Sequence, residues 1–194
     1  MISKKACEGF SQKFKYQGAP PPAFAEEKQM SYSFNLAYLA DIDAVFDLYR
    51  KRVKWMDEQG IRQWNVTSYL DAYPIEYYKD KLRLGNLYVL RAENRIAGAV
   101  VLLQSDNRWP DRANSPAYYI RNLVTDPADH GAGRRIMEEV ENLAILHGKQ
   151  YIRLDCAVDN TFLNQYYESM GYVLAGLCKD GDYIGNRREK RLGS

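Results

Sequence analysis

The residues best suited to bind an anion in this sequence lie in a glycine-bearing turn that precedes a periodic helix. Residues 117–125 have the pattern of a strand, and the turn at 131–133 then opens a helix that begins with Arg134 and Arg135. Free backbone N–H groups at a helix start bind anions. Two cations in a first turn oppose the helix dipole unless an anion is present. The turn therefore predicts a phosphate or pyrophosphate site, and the alternative is that both arginines simply face solvent.

Other patterns for phosphate binding are absent from the sequence of this turn. The glycine spacing is not the G-x-G-x-x-G of a dinucleotide-binding fold, and no Gly-Lys-Ser/Thr run follows it. Neither a Rossmann-type domain nor a P-loop enzyme is supported.

Hydrophobic periodicity predicts the elements that position this turn. Apolar residues three and four apart indicate helices, β-rich runs indicate strands, and a short turn at 93–95 indicates a hairpin. Two strand–helix–strand units require some parallel pairing, whereas hairpins supply antiparallel edges. We therefore predict a mixed α/β sheet in one layer with helices on both faces. The predicted helices cover 41 to about 60, 74–84, 134–147 and 160–170, and the predicted strands cover 87–92, 96–104, 117–125, 150–157, 172–177 and 183–192.

Composition limits the class of protein. The 194 residues are 46% hydrophobic and 27% charged, which suits one globular domain, and the formal net charge of +2 gives no reason to expect a nucleic-acid partner. The sequence contains no run of about 18 apolar residues, so no membrane-spanning helix is predicted. Three cysteines and two histidines make a disulfide scaffold or a metal site unexpected and favour a cytoplasmic protein. Residues 1–30, with three consecutive prolines, are predicted to be a flexible extension of a domain over 31–194.

Two blocks of sequence carry a resemblance to a known family. The stretch Leu123-Val124-Thr125-Asp126-Pro127-Ala128-Asp129-His130-Gly131-Ala132-Gly133 resembles the acetyl-CoA-binding motif of the GNAT superfamily of N-acetyltransferases. The later residues Arg153-Leu154-Asp155, Asn160 and Tyr166-Tyr167-Glu168-Ser169-Met170-Gly171-Tyr172 resemble its second signature block. The resemblance implies a single-domain α/β (α+β) fold. Its sheet would be mixed and mostly antiparallel, with a splayed central parallel strand pair and helices on both faces.

The resemblance also implies acetyl-CoA as cosubstrate and no metal. In this family the pantetheine arm lies between the splayed strands, where backbone N–H groups near Leu123 and Thr125 would bond its amides and the acetyl carbonyl. The glycine turn and its arginines would hold the pyrophosphate, with His130 as a loop donor. The implied cofactor-binding residues are Leu123, Val124, Thr125, His130, Gly131, Ala132, Gly133, Arg134, Arg135, Asn160 and Tyr167.

The implied reaction is direct attack of a primary amine on the thioester. Tyr167 matches the position that protonates the leaving thiolate in many members, although its place on an apolar helix face also fits simple packing. Glu58 and Asp155 are candidate general bases, and the alternative, a surface or structural carboxylate, is the more common role for such residues. Cys156 lies in an apolar strand without a neighbouring histidine, which favours an inert thiol over an acyl-enzyme nucleophile.

The acceptor pocket is expected near the segment that links the first two predicted helices. Its candidate substrate-binding residues are Trp55, Glu58, Trp64 and, in the long loop, Trp109, and the tryptophans are also candidate core residues. A small-molecule or peptide amine fits this reading, and a homodimer stays open. The acceptor itself is not identified by the sequence.

Two alternatives remain at this point. The glycine loop is two residues shorter than the family pattern, with His130 in the place of an arginine, which motivates a non-catalytic module that binds or senses acyl-CoA. The basic tail Arg187-Arg188-Glu189-Lys190-Arg191 motivates an RNA-associated protein, although no aromatic RNA-binding motif accompanies it.

Overall fold

The structure is a computed structural model that describes residues 31–193. The predicted extension over residues 1–30, together with Cys7, lies outside the described residues. In chain order the strands and helices are β1 (Tyr32–Leu36), α1 (Ile42–Glu58), α2 (Tyr69–Ala72), α3 (Ile75–Arg83), β2 (Leu87–Ala92), β3 (Arg95–Leu103), β4 (Ala117–Thr125), α4 (Ala132–Leu146), β5 (Tyr151–Ala157), α5 (Thr161–Ser169), β6 (Val173–Asp180) and β7 (Tyr183–Arg191).

The seven strands form one open sheet in the order β1-β2-β3-β4-β5-β7-β6. Every neighbouring pair is antiparallel except β4 and β5, which are parallel. Strand β7 lies between β5 and β6, because the chain turns back after β6 and fills the position beside β5. The predicted mixed, mostly antiparallel sheet with a central parallel pair is confirmed.

The parallel pair is joined over only part of its length. Strand β4 pairs with β5 at Ala117↔Tyr151, Tyr118↔Ile152 and Tyr119↔Arg153, and the pairing stops there although both strands continue. We call the space between the two strands beyond these three pairs the strand gap. The other side of β5 is paired with β7 along its whole length. The predicted splay of the two strands is therefore confirmed.

A bulge bends β4 where it parts from β5. Arg121 pairs with Val101 and Val124 pairs with Ala99, so β4 has two residues between these pairs where β3 has one. Asn122, the first of these two residues of β4, has a φ of 51°. Asparagine tolerates this left-handed conformation better than most residues do. Because a bulge bends its strand and increases its twist, it helps to turn β4 away from β5.

Helices cover both faces of the sheet, as predicted. Helices α1 and α3 pack on one face around Val45, Tyr49 and Tyr78, and α4 and α5 pack on the other around Ile136 and other aliphatic residues. Each face therefore has its own hydrophobic core. Strand β4 contributes to both, with Ile120 in the core under α4 and α5 and Val124 in the core under α1 and α3. Within residues 31–193, no helix is both long enough and apolar enough to cross a membrane.

The sequence pattern did not indicate two short elements, β1 and α2. Strand β1 is an edge strand of five residues in which only Tyr32 and Phe34 are partly buried, so its alternation is weak. Helix α2 has a single turn and follows Ser68, whose φ of 49° is unusual for a helix start. Elements of this size carry too few periodic positions to be recognised from hydrophobicity.

Candidate active site

The chain leaves the parted end of β4 through a turn that leads into α4. Gly131 precedes the helix with a φ of 88°, a conformation that favours glycine. The amide nitrogens of Gly133 and Arg134 donate to no backbone carbonyl within residues 31–193, whereas the amide of Arg135 donates to the Gly131 oxygen at 3.1 Å. His130 and Gly131 are exposed. The helix start therefore offers unpaired N–H groups and its positive dipole to an anion.

Two carboxylates hold this turn in place. One oxygen of Asp126 accepts from the Ala128 amide at 3.0 Å, and the other accepts from the Lys51 ammonium at 3.1 Å. Burial alone would raise the pKa of Asp126, but the Ala128 amide and the Lys51 charge lower it. The buried carboxylate of Asp129 is paired with both terminal nitrogens of Arg95. These hydrogen bonds and ion pairs hold the turn in its conformation without a bound ligand.

The two arginines at the start of α4 have different surroundings. Arg134 is exposed and lies 3.7 Å from Glu138, a weak pairing within the helix. The guanidinium of Arg135 lies over the ring of Tyr32 in β1, 4.3 Å from its centroid. Arg134 is therefore the cation that is more available to an anion at this helix start.

At the end of β4, the side chains pack into the two cores or contact Arg52, so it is mainly backbone atoms that face the strand gap. Val124 is buried in the core under α1, and Leu123 is partly buried against the opposite core. The carbonyl oxygen and the hydroxyl of Thr125 both accept from Arg52, at 2.7 Å each. Ala132, at the first position of α4, is buried in the same core as Ile136.

Tyr167 of α5 lies beside the buried end of β5. Its ring packs edge-on against Tyr172 at 5.9 Å, and burial, followed by the nearby Cys156 thiol, raises the pKa of its phenol above the ordinary value. Its hydroxyl donates to no group among the described residues. Asn160 caps α5 by accepting from the Leu163 amide at 2.9 Å, as predicted from its position.

Three tyrosines hold the bulge residue Asn122. The hydroxyl of Tyr49 donates to its carbonyl oxygen at 2.5 Å, and the hydroxyl of Tyr77 donates to its side-chain oxygen at 2.9 Å. The Asn122 amide nitrogen donates to the Tyr69 hydroxyl at 2.6 Å. Because these tyrosines come from α1, α3 and α2, three helices hold this one residue of β4. The bulge is therefore rigid in both its main chain and its side chain.

Five charged side chains form a chain of ion pairs across the strand gap. Arg121 of β4 donates to Asp106 at 2.5 and 2.7 Å and lies 3.0 Å from Asp155 of β5. Asp155 also accepts from Arg108 at 2.9 Å, and Arg108 donates to Asp180 at 2.5 Å. The order Asp106–Arg121–Asp155–Arg108–Asp180 alternates in sign and has a carboxylate at each end. We call it the charge chain. Its pair Arg121–Asp155 bridges the two parted strands, β4 and β5.

A cavity of about 250 Å³ lies beside the charge chain and the bulge. We call it the Asn122 cavity. Tyr73 and Tyr77 form one wall, Asn122 and Arg121 lie on β4, and the loop after β3 and the end of β6 complete it. Burial raises the pKa of Tyr77 to about 12, so its phenol is neutral at ordinary pH. The remaining lining residues are Leu103, Ser105, Asp106, Asn107, Arg108 and Asp180.

Comparison with known proteins identifies the family to which this chain belongs. Residues 53–172 match the family model described as Acetyltransferase (GNAT) family. The matched segment begins within α1, ends just after α5 and contains β4, the glycine turn and the strand gap. The chain belongs to the GNAT family. It is an acetyltransferase.

Individual relatives of this GNAT acetyltransferase agree with the assignment. The uncharacterized N-acetyltransferase YesJ of Bacillus subtilis strain 168 is 24% identical over 155 residues, which cover 76% of this chain and 85% of YesJ. A GNAT-family acetyltransferase from Listeria monocytogenes superposes with a TM-score of 0.71 at 23% identity, over 84% of this chain and 96% of its own. The PaiA N-acetyltransferase of Thermoplasma acidophilum, solved in complex with coenzyme A, gives a TM-score of 0.63 at 16% identity, over 84% and 99%.

The residues predicted to bind the acceptor do not line the Asn122 cavity of this GNAT enzyme. Glu58 is exposed at the end of α1 and lies 3.8 Å from Lys54. Trp55 is partly buried against Arg52, and Trp64 stacks on Tyr69 at 4.3 Å. Trp109 is 1% exposed in a small core with Tyr119, so it offers no surface to a ligand.

Cys156 is buried and its thiol donates to the Asn164 side-chain oxygen at 3.4 Å. Burial raises the pKa of this thiol to about 11. A thiol with so high a pKa is almost entirely protonated at neutral pH, which opposes its use as a nucleophile. Cys178 is also buried, and burial raises its pKa as well.

The basic tail of the sequence is mostly paired inside the protein. Arg187 pairs with Asp111, Arg188 with Glu168 at 2.9 Å and Lys190 with Glu141 at 2.7 Å. Arg187 and Arg188 are buried on β7. Most of the charge that motivated an RNA-associated reading is therefore neutralised by neighbouring carboxylates.

Sequence reasoning missed most of the residues that form the Asn122 cavity. Asp106, Arg108 and Asp180 lie in loops or at strand ends, where no periodic pattern marks them. Asn122 lies inside a predicted strand, and only the two consecutive polar residues Arg121 and Asn122 in a mostly apolar run could have suggested a bulge. Asp155 was predicted as a base, and the structure surrounds it with two guanidiniums and the Tyr183 hydroxyl at 2.7 Å.

Proposed function

We propose that this protein transfers the acetyl group of acetyl-CoA to a primary amine by direct attack of the amine on the thioester. The observation that carries the proposal is the early end of the β4–β5 ladder after three residue pairs. It leaves parted strands that lead directly into a helix start with unpaired amide groups. An elongated ligand with an anionic end matches both features.

The proposed cofactor site runs from the start of α4 into the strand gap. The amides of Gly133 and Arg134, with the Arg134 guanidinium and His130 beside them, would bind the pyrophosphate. Amide groups of β4 near Leu123 and Thr125 that have lost their partners on β5 would bond the pantetheine arm. A relative of the same fold, solved with coenzyme A, supports this assignment.

The proposed chemistry places the amine in the Asn122 cavity. Its nitrogen lone pair forms the bond to the acetyl carbon, and the bond from that carbon to sulfur breaks. Backbone N–H groups beside the rigid bulge at Asn122 would stabilise the negative charge that develops on the carbonyl oxygen. Tyr167 would give its phenol proton to the departing thiolate, and the proton released by the new amide restores the phenol.

The acceptor must lose its ammonium proton before it attacks. Both oxygens of Asp155 face guanidiniums, and one of them also accepts from the Tyr183 hydroxyl at 2.7 Å, so the carboxylate is enclosed by protein groups and has little room to contact an amine. Glu58 lies outside the cavity lining and would need a water path. We therefore assign the charge chain a role in shaping the cavity, and we propose that solvent in the cavity accepts the proton.

The test measures cofactor binding and transfer separately. Acetyl-CoA at about 100 times its dissociation constant should stabilise the protein by about 2.7 kcal/mol, which is a rise in melting temperature of roughly 5–10 °C for a chain of this size. Release of free thiol should then require a primary amine. Binding without transfer to any member of a broad amine panel would indicate a non-catalytic acyl-CoA module instead.

The order of reaction is tested at Cys156. Direct attack predicts intersecting initial-rate lines when acetyl-CoA and the amine are both varied, and Cys156→Ala should retain most of the turnover. Parallel lines together with an inactive Cys156→Ala protein would support an acyl-enzyme and contradict the proposal. The same Cys156→Ala protein should unfold cooperatively, which shows that any loss of turnover is chemical.

A further inference from the structure

We infer that the acceptor of this enzyme is a compact alkyl amine that carries a second positive charge and no carboxylate. The inference rests on the proposed function, because it names the class of amine that the Asn122 cavity takes. Its basis is the order of charges in the charge chain, in which three carboxylates face two guanidiniums.

The guanidinium nitrogens of the two arginines beside the cavity already face protein carboxylates, so they are not available to a substrate carboxylate. Three nitrogens of Arg121 face Asp106 and Asp155, and both terminal nitrogens of Arg108 face Asp155 and Asp180. A carboxylate on the ligand would have to displace one of these protein carboxylates, and it would enter a group that is already net negative. The cavity therefore disfavours amino acids with a free carboxylate near the amine.

The carboxylate at one end of the charge chain is free to bind a cation. The side chain of Asp106 is buried, and its two oxygens accept from Arg121 and from the Arg108 amide. Asp180 is 64% exposed at its side chain, and only one of its oxygens accepts a bond within residues 31–193. The Arg108 guanidinium lowers the pKa of Asp180, so this carboxylate stays charged at neutral pH. Asp180 thus has a free acceptor oxygen at the cavity rim.

The group that Asp180 binds must differ from the amine that reacts. A carboxylate beside an ammonium stabilises its protonated form, and a protonated amine cannot attack. The reacting nitrogen is proposed to lie at the Asn122 end, and Asp180 lies on β6 at another part of the lining. At about 30 Å³ per water-sized group, the cavity of about 250 Å³ has room for roughly eight such groups. A short alkyl diamine meets both conditions.

The test uses three acceptors that differ by one group each, with the full-length protein and acetyl-CoA. 1,5-Diaminopentane has two ammonium groups, pentylamine lacks the second, and lysine adds a carboxylate to the diamine. The value of kcat/KM for the diamine, read by thiol release, should exceed that for pentylamine about tenfold, and lysine should be the poorest of the three.

Asp180→Asn should remove most of the preference for the diamine over pentylamine. Asp182→Asn, a change of an exposed carboxylate on the same hairpin, is the matched control and should keep the preference. Because both carboxylates are exposed, neither variant should disturb folding, and the rate with pentylamine serves as the internal reference.

Each other outcome overturns the inference in a recognisable way. Lysine turned over as fast as the diamine, or an unchanged preference in Asp180→Asn, would contradict it while leaving amine acetylation in place. The same holds if all three compounds are inert while other amines release thiol. If no amine of any kind reacts, the proposed function fails and the inference fails with it.

Discussion

The environment of Tyr167 decides what its phenol can do. Burial raises the pKa of the phenol above its ordinary value, and the hydroxyl donates to no group in the described part of the chain. A phenol in this state keeps its proton up to at least about pH 10. It therefore suits a role as proton donor to a thiolate and does not suit a role as base.

We expect Tyr167→Phe to lower kcat by about 10²-fold, with little change in the dissociation constant for acetyl-CoA. The reason is that phenylalanine keeps the packing against Tyr172 and loses only the donor. Steady-state kinetics and a cofactor titration on the same preparation separate the two effects.

Tyr172→Phe provides the matched control. The hydroxyl of Tyr172 is buried and has no hydrogen-bond partner among residues 31–193. Its removal should leave turnover unchanged and leave stability unchanged or higher by about 1 kcal/mol. If the two substitutions reduced turnover equally, the loss would come from packing around α5 and not from proton donation.

Substitution of Asn122 should separate backbone strain from hydrogen bonding at the bulge. Asn122→Ala removes the side-chain bonds to Tyr69 and Tyr77 and places alanine at a φ of 51°, so we expect a loss of about 2–4 kcal/mol in the free energy of unfolding. Asn122→Gly loses the same bonds without the strain and should be about 1 kcal/mol more stable than the alanine variant. Urea unfolding measures both.

Both Asn122 variants should also lose turnover, because the proposed amide donors lie beside this residue. A glycine variant no more stable than the alanine variant would show that the left-handed backbone is not strained. Full turnover in both variants would show that the three tyrosines support the fold and do not position the reaction.

Single residues also show where sequence reasoning reached its limit. The glycine turn was recognised because its residues are contiguous. The charge chain was not, because Asp106, Arg121, Asp155 and Asp180 come from four separate segments and meet only when the sheet forms. Paired carboxylates and arginines have no local signature, since ionised side chains occur throughout a surface.

At the scale of elements, hydrophobic periodicity predicted those elements that bury a continuous apolar face. Helices α1 and α4 bury one continuous stripe each, so their spacing of apolar residues located them to within a few residues. The edge strand β1 buries little, and its alternation was too weak to be recognised. The parting of β4 from β5 was expected from the family resemblance alone, because no composition or period indicates where a ladder ends.

Substitutions of the two arginines at the start of α4 should distinguish a cation that binds ligand from one that supports the fold. We expect Arg134→Gln to weaken acetyl-CoA binding about three- to tenfold and to leave the stability of the free protein nearly unchanged. Arg134 is exposed and opposes the helix dipole, so the free protein gains little from its charge. Binding is measured by titration and stability by thermal unfolding.

Arg135→Gln is the control for this helix start. It should destabilise the free protein by about 0.5–1 kcal/mol through loss of the contact with Tyr32, and it should weaken binding less than Arg134→Gln does. The reverse pattern, with Arg135 dominant in binding, would place the anion on the other side of the turn.

At the scale of the whole molecule, the two faces of the sheet carry different parts of the proposed reaction. Tyr167 packs with the core under α4 and α5, and the Asn122 cavity lies beside Tyr73, which follows α2, and Tyr77 of α3. The strand gap is where these two sides meet, and the pair Arg121–Asp155 bridges it. A ligand that filled the gap would therefore contact both halves of the machinery.

Hydrogen exchange should report this gap directly. Amides on an antiparallel strand point alternately to either side, so about half of those in residues 121–125 face the gap and have no ladder partner on β5. We expect that half to exchange rapidly in the free protein and at least about tenfold more slowly with acetyl-CoA bound, because the pantetheine arm would supply the missing partner. Peptide-level mass spectrometry over this segment measures the change.

The neighbouring strands give the internal reference for that experiment. Amides of Asp155, Cys156 and Ala157 lie on a strand paired with β7 along its length, so residues 155–157 should be partly protected with or without the ligand. The β2–β3 hairpin should not respond at all. Protection of 121–125 in the free protein would mean that the strands close in solution. A lack of response to acetyl-CoA would mean that the arm binds elsewhere, and in either case the parted strands could not be the site where the thioester reacts.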